Sequence, residues 1–176
     1  KHKGEKVIVF TQFSDTANYI FKQLKRRGFT HIACATGDSK NQTDLVEHFS
    51  PMSNDKNYSI DEQYRVLIAT DVLSEGQNLQ DSHVITNFDL PWAIIRLIQR
   101  AGRVDRIGQN REVLAINMMI NNSIDSRVYE VIETKLSQIL SDMGIDKTND
   151  VLDSTLEINK VNKLYLGDTL LYPNVE

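Results

Sequence analysis

The stretch "IIRLIQRAGRVDRIGQ" sets arginines at positions 96, 100, 103 and 106. A guanidinium is a planar fork of donors that suits multi-oxygen anions, phosphate above all. On a helix Arg96, Arg100 and Arg103 share a side, and Arg106 follows at the helix end or just past it. Gly102 inside a helix costs roughly 1 kcal/mol relative to alanine. That cost is understandable if something approaches the backbone closely there, or if the helix ends there. The same spacing also fits a solvated helix face with Asp105 and Glu112 as partners.

A second polar stretch, "ATDVLSEGQNLQ" (Ala69–Gln80), follows an apolar run. Gly76 allows a turn or a close approach, and Thr70, Ser74, Gln77 and Asn78 offer neutral hydrogen bonds suited to sugar and phosphate oxygens. In an open α/β sheet, ligands bind beyond the carboxyl ends of strands, which is where such a loop would lie. By itself it is also an ordinary polar loop. His2, His31, His48 and His83 lack ligand spacing, so no metal site is expected. Cys34, the one cysteine, excludes an internal disulfide and sits in the apolar run "HIACA" as a core residue.

The elements that must hold these residues follow from periodicity. "KVIVFT", "HIACA", "RVLIAT", "HVITNF" and "EVLAINMMI" are short apolar runs of the kind buried on both faces of a parallel sheet. Between them, Ser14 is placed to cap a helix whose inner face is Ala17, Ile20, Phe21 and Leu24, with Gly28 as its stop. Thr43–Phe49 reads as a short helix with Leu45, Val46 and Phe49 inward. Another helix begins near Ala93 after Pro91 and carries the arginines. A further one spans Asp125–Asp142, with Val128, Val131, Ile132, Leu136, Ile139 and Leu140 inward. Ser50–Gln63 reads as a mobile surface loop. The alternation predicts an α/β fold around a mostly parallel sheet. Gly144 is expected to close the last helix, and Leu152, Leu156, Val161 and Leu164 hint at one more in the tail.

With 176 residues, 40% of them apolar and a net charge of -4, the chain is expected to form one domain with a full core, with room for a small appendage. Any nucleic-acid contact must therefore be a local patch. The cluster "KQLKRR" (Lys22–Arg27) is compatible with such a contact and with a solvated helix face. No apolar run is long enough for a membrane span, and no signal-peptide core follows the start, so the chain reads as cytoplasmic with no membrane partner.

The two polar stretches in this order, "VLIATDVLSEGQNLQDSHVITNFDLPW" and then "IQRAGRVDRIGQ", resemble motifs V and VI of superfamily-two helicases and translocases. The "DRIGQ" ending resembles the Swi/Snf-type ATPases, most of all their bacterial branch with the RNA-polymerase-associated ATPase. "VIVFTQFSDTANYI" is similar to motif IV, and the collinear resemblance runs from about Lys6 to Leu140. No Walker A string GxxxxGK[ST] occurs, and "IDEQ" at Ile60–Gln63 lacks the apolar strand of an acidic motif II. The resemblance implies a RecA-like three-layer sandwich, the second motor lobe, over 1–143, with a short C-terminal extension at 144–176.

It further implies that ATP with Mg2+ is held mainly by an N-terminal RecA-like lobe of the same polypeptide. Arg103 and Arg106 would serve as arginine fingers on its γ-phosphate, with Gln99, Gly76, Asn78 and Arg100 beside the nucleotide. For Arg100 a supporting role in the cleft or in coupling to the other lobe is favoured. Gln12, Phe13, Thr36, Gly37 and Thr70 match nucleic-acid-backbone positions. Where relatives carry an arginine after the "TG" turn, Thr43 stands here. The implied activity is that of a double-stranded DNA translocase or remodeller, and the implied partner is a nucleoprotein or RNA polymerase. Alternatives are a lobe of a strand-separating DNA or RNA helicase, and a non-catalytic nucleic-acid-binding or assembly module.

Overall fold

A strand that is apolar on both faces has to be covered on both faces, and a parallel sheet is where this occurs. The computed structural model describes residues 5–74, 76–120, most of 127–138, and 168–172. Its six strands are β1 (Val7–Phe10), β2 (Ile32–Ala35), β3 (Val66–Ala69), β4 (Val84–Asn87), β5 (Leu114–Ile120) and β6 (Asp168–Tyr172). They form one sheet in the order β2-β3-β1-β4-β5-β6, and every neighbouring pair is parallel. The first five match the apolar runs. The sixth arises from the tail, where no strand was expected; it pairs alongside β5 from Ile116↔Asp168 to Ile120↔Tyr172.

The register aligns the strand ends. Phe10 lies opposite Ala69 and Asn87, and Ala35 lies opposite Ala69. The carboxyl ends of β1, β2, β3 and β4 therefore form one edge, and Val7, Ile32, Val66 and Val84 mark the other. Ile8, Phe10, Leu67, Ile68 and Ile85 are sealed from solvent, each side chain contributing about 1.5–3 kcal/mol by burial.

Helix α1 (Ser14–Arg26) buries Ala17 fully and Ile20, Phe21 and Leu24 by about half. Ser14 is its first residue and not its cap: Phe13 holds that position in an extended conformation, with no side-chain cap. At the other end Gly28, at φ 87°, lets its own N–H reach Lys25 O and the Phe29 N–H reach Leu24 O. Helix α2 (Gln42–Phe49) turns Val46 and Phe49 into the core. Helix α3 (Ile94–Ala101) is shorter than the arginine spacing predicts, because Gly102 caps it. Arg96 and Arg100 are thus helical, whereas Arg103 and Arg106 lie in the turn beyond.

Three further expectations are corrected. Cys34 is half-buried, not a core residue; its Sγ lies 3.8 Å from Asn18 Oδ1, and partial burial pushes the thiol up. Residues 127–132 are helical with Val128 and Ile132 buried, but Val131 faces outward. Part of Ser50–Gln63 is a 3₁₀ turn (Met52–Asn54) fixed by side chains and not a free loop. Leu136, Ile139 and Leu140, and the tail helix expected around Leu152–Leu164 with Gly144 before it, lie outside the described side chains. Among the described residues no helix is long and apolar enough to cross a membrane.

Candidate nucleotide and nucleic-acid contact site

The acid that Arg96 and Arg100 meet is Asp71, in the 3₁₀ turn directly after β3 (Asp71–Ser74). It takes Arg100 Nε at 2.7 Å on one oxygen and Arg96 Nη1 at 3.1 Å on the other. The Arg100 side chain is 0% exposed. Its Nη1 donates to Asn87 Oδ1 at 3.0 Å and to Asp89 O at 3.3 Å, and the guanidinium lies 5.3 Å from the Phe10 ring centre. Asn87 Nδ2 in turn donates to Asn117 Oδ1 at 2.8 Å. Arg100 is thus a strut joining α3 to the ends of β1, β3 and β4. A guanidinium sealed inside the fold faces no ligand, which agrees with the supporting role favoured for Arg100 rather than with a direct nucleotide contact.

Arg103 and Arg106 are differently placed. Each is half-buried, and their Nε atoms go to main-chain oxygens: Arg103 to Gln99 O at 3.4 Å, Arg106 to Gly102 O at 3.0 Å. Among the described residues no carboxylate lies within ion-pair distance of Arg106. Gln99, also half-buried, is one turn before Arg103. The turn itself is held from behind. Leu79 N donates to Arg103 O at 3.1 Å, and Gln80 Nε2 donates to Arg106 O and Ile107 O at 3.2 and 3.1 Å. Gln109 Nε2 reaches Val104 O, Gln80 O and Ser82 O. Gly108, at φ 97°, makes the reversal that follows Arg106 and Ile107.

Gly76 is exposed at φ 75°, in the loop before this contact. Asn78 has its side chain committed: Nδ2 donates to Ser53 O at 2.9 Å, and Oδ1 takes Gln80 N at 3.3 Å.

The remaining expected residues gather at the carboxyl edge of the sheet. Gln12 and Phe13 follow β1, Thr36 and Gly37 follow β2, and Thr70 follows β3. Gln12 N donates to both oxygens of Asp89 at 2.9 and 3.2 Å, Gln12 Nε2 to Leu90 O at 3.3 Å, and the Thr11 hydroxyl also binds Asp89. Thr36 N is capped by Ser39 Oγ at 2.9 Å, while Thr70 N donates to Ala35 O at 3.0 Å. Phe13 is 61% exposed.

Sequence reasoning missed two residues here. Asp89 anchors the Gln12 loop, and Trp92, in the loop after β4, is 60% exposed beside the same edge. A lone tryptophan after proline is a weak signal, since it fits a core as well as a surface.

The structure therefore separates two groups. The arginine turn packs on Leu79–Ser82, which leads into the amino end of β4, whereas Gln12, Phe13, Thr36, Gly37 and Thr70 lie at the carboxyl edge. A four-residue strand such as β4 rises about 10 Å between those edges. One segment, Thr70–Ser82, spans the interval. It is tied to the arginine-bearing stretch at Asp71, Leu79 and Gln80.

Against known families, residues 1–108 match the helicase conserved C-terminal domain. The chain belongs to that family. This helicase C-terminal domain is 28% identical over its whole length to an uncharacterized ATP-dependent helicase YqhH of Bacillus subtilis (strain 168), of which it covers 29%. It is 34% identical over 63% of its length to the RNA polymerase-associated protein RapA of Vibrio parahaemolyticus, covering 11% of that protein. The chain thus spans less than a third of these relatives. In fold it resembles the crystal structure of the C-terminal part of the Fun30 ATPase domain, with a TM-score of 0.63 at 20% identity, covering 85% of this chain and 48% of the other. The domain is a superfamily-two helicase C-terminal lobe with a RecA-like α/β fold.

Proposed function

We propose that this lobe is one half of an ATP-driven motor that moves on double-stranded DNA. Its arginine turn would act on a nucleotide held by another lobe of the same polypeptide, and its carboxyl edge would grip the nucleic-acid backbone. The observation that carries this reading is the setting of Arg106: half-buried, held through Nε by a main-chain oxygen, and paired with no carboxylate among the described residues. An arginine kept for internal structure looks like Arg100, sealed and bonded to Asp71. An arginine kept for an incoming anion needs a fixed backbone and an available charge.

ATP with Mg2+ supplies the phosphoryl group whose transfer releases the energy. The lobe's own residues do the rest. Arg103 and Arg106 stabilise charge on the transferring group, the usual task of such fingers, worth about 10³–10⁵ in rate. Gln99 lies one turn before Arg103 and helps orient nucleotide or water. Gly76 lets the segment approach the cleft. Arg100 and Asp71 hold α3 against the sheet so that the turn keeps its place. At the other edge, the Gly37 main chain and the Gln12–Phe13 loop contact phosphate and sugar without reading bases, while Thr36 and Thr70, both buried with their N–H groups bonded inside the fold, shape that edge. Closure of the lobe pair on ATP would bring the arginine turn to the nucleotide, and opening after hydrolysis would release it. RNA polymerase or another nucleoprotein is the proposed obstacle or client, by analogy with the RNA polymerase-associated relative.

The test is steady-state ATP hydrolysis by the full-length protein with duplex DNA, single-stranded DNA and RNA. Stimulation strongest with duplex DNA is expected. Stimulation by RNA or single strands alone would replace this reading with that of a strand-separating helicase. The isolated chain is expected to hydrolyse no ATP.

A further inference from the structure

The turn Ser50–Asp55 has no role in the reading above, yet its contacts converge on the segment that supports Arg106. Asn54 Nδ2 donates to Ser50 O at 2.6 Å and to Asn78 O at 2.9 Å, while Asn78 Nδ2 returns a hydrogen bond to Ser53 O at 2.9 Å. Asp81 accepts Met52 N at 2.9 Å on one oxygen and Ser53 N at 2.8 Å on the other, together with the Ser53 hydroxyl. The fully buried Ser50 takes Asp81 N on its hydroxyl at 3.1 Å. Asp55, in the left-handed region at φ 54°, closes the turn. Lys6 joins the cluster through Phe49 O, Gln63 Oε1 and Asp81.

Residues 77–79 belong to neither helix nor strand, so no ladder fixes their backbone. Side chains must do so. The residues they fix are the ones that hold the arginine turn: Leu79 N and Gln80 Nε2 bind Arg103 O, Arg106 O and Ile107 O. The connection is contiguous from Asn54 and Asp81, through Asn78–Gln80, to the main chain of Arg106.

We infer that the Ser50–Asp55 turn is a clamp whose Asn54, Ser53 and Asp81 are positioning residues for Arg106, setting the rate of ATP hydrolysis without touching nucleotide or nucleic acid. The inference rests on the reading of Arg106 as a nucleotide contact. It also explains why a stretch longer than a minimal connection persists between α2 and β3.

The test is a double-mutant cycle in the full-length protein at saturating duplex DNA, with kcat and the KM for ATP measured for Asn54→Ala, Arg106→Ala and the double variant. Asn54→Ala is expected to lower kcat about tenfold with KM within twofold. In the Arg106→Ala background it should have no further effect, since both changes remove one function. Ser53→Ala, which keeps the main-chain bonds to Asp81, should lower kcat less and show the same non-additivity. Losses that multiply in the double variant, or a kcat unchanged by Asn54→Ala while Arg106→Ala is crippled, would overturn the clamp alone. A kcat unchanged by Arg106→Ala would overturn the reading beneath it. Thermal unfolding of each variant separates a positioning loss from a folding loss.

Discussion

Arg100 Nε and Asp71 Oδ1 lie 2.7 Å apart, and this contact joins the helix of the arginines to the end of β3. A buried ion pair is weak evidence of net stability, but breaking one from one side is costly because the survivor is left charged and dry. Asp71→Ala should destabilise folding by about 3–5 kcal/mol. Adding Arg100→Met should recover part of that loss. Equilibrium denaturation of the two variants checks it; a double variant no more stable than Asp71→Ala would contradict the account of Arg100 as a strut.

Gly108 adopts φ 97° with open space where a Cβ would stand, so an added methyl meets backbone strain and no collision. Gly108→Ala should cost about 1–3 kcal/mol, from strain alone. The loss is measurable by urea unfolding. An unchanged midpoint would show that the turn can take another course.

Lys6 is held below the ordinary lysine range by burial, with Asp81 pulling partly the other way. The unfolded chain therefore binds a proton that the folded chain holds less tightly. Folding stability should rise as pH climbs through the window below the ordinary value of 10.5, and this component should be absent in Lys6→Met. Stability curves of the two proteins over that range give the comparison; parallel curves would contradict it.

Phe13 and Trp92 are exposed at the same sheet edge. Phe13→Ala and Trp92→Ala should each weaken binding to duplex DNA by on the order of 1 kcal/mol. The loss should be similar for unrelated sequences, with no fall in melting temperature. Fluorescence anisotropy on two or more duplexes tests this, and a loss confined to one sequence would point to base reading.

Much of the fold was legible because parallel strands carry their signal locally: "VIVF" and "VLIA" need cover on both faces wherever they occur. Gly28 as a helix stop was legible for the same reason. The end of α3 at Gly102 was only half legible, since glycine spacing fits both a kink and a stop. Arg100 and Asp71 were not legible as a pair. They stand 29 residues apart, and no periodicity links an acid after one strand to an arginine on a later helix. The side-chain amides that join Asn54 to Asn78 leave no pattern at all in sequence. Nor did β6, whose residues lie in a polar tail with no turn signal tying them to β5. At the site, motif order marks both Arg100 and Arg106, but only their burial and their partners, Asp71 for one and a main-chain oxygen for the other, tell them apart.

The most direct measurement is DNA-stimulated ATP hydrolysis by the full-length protein carrying Arg106→Ala or Arg106→Lys, with ATP binding measured alongside. Both variants should bind ATP nearly as the parent does and lose kcat by about 10³-fold or more, since an ammonium lacks the planar fork that phosphate requires. A kcat within a few-fold of the parent in Arg106→Ala would contradict the account.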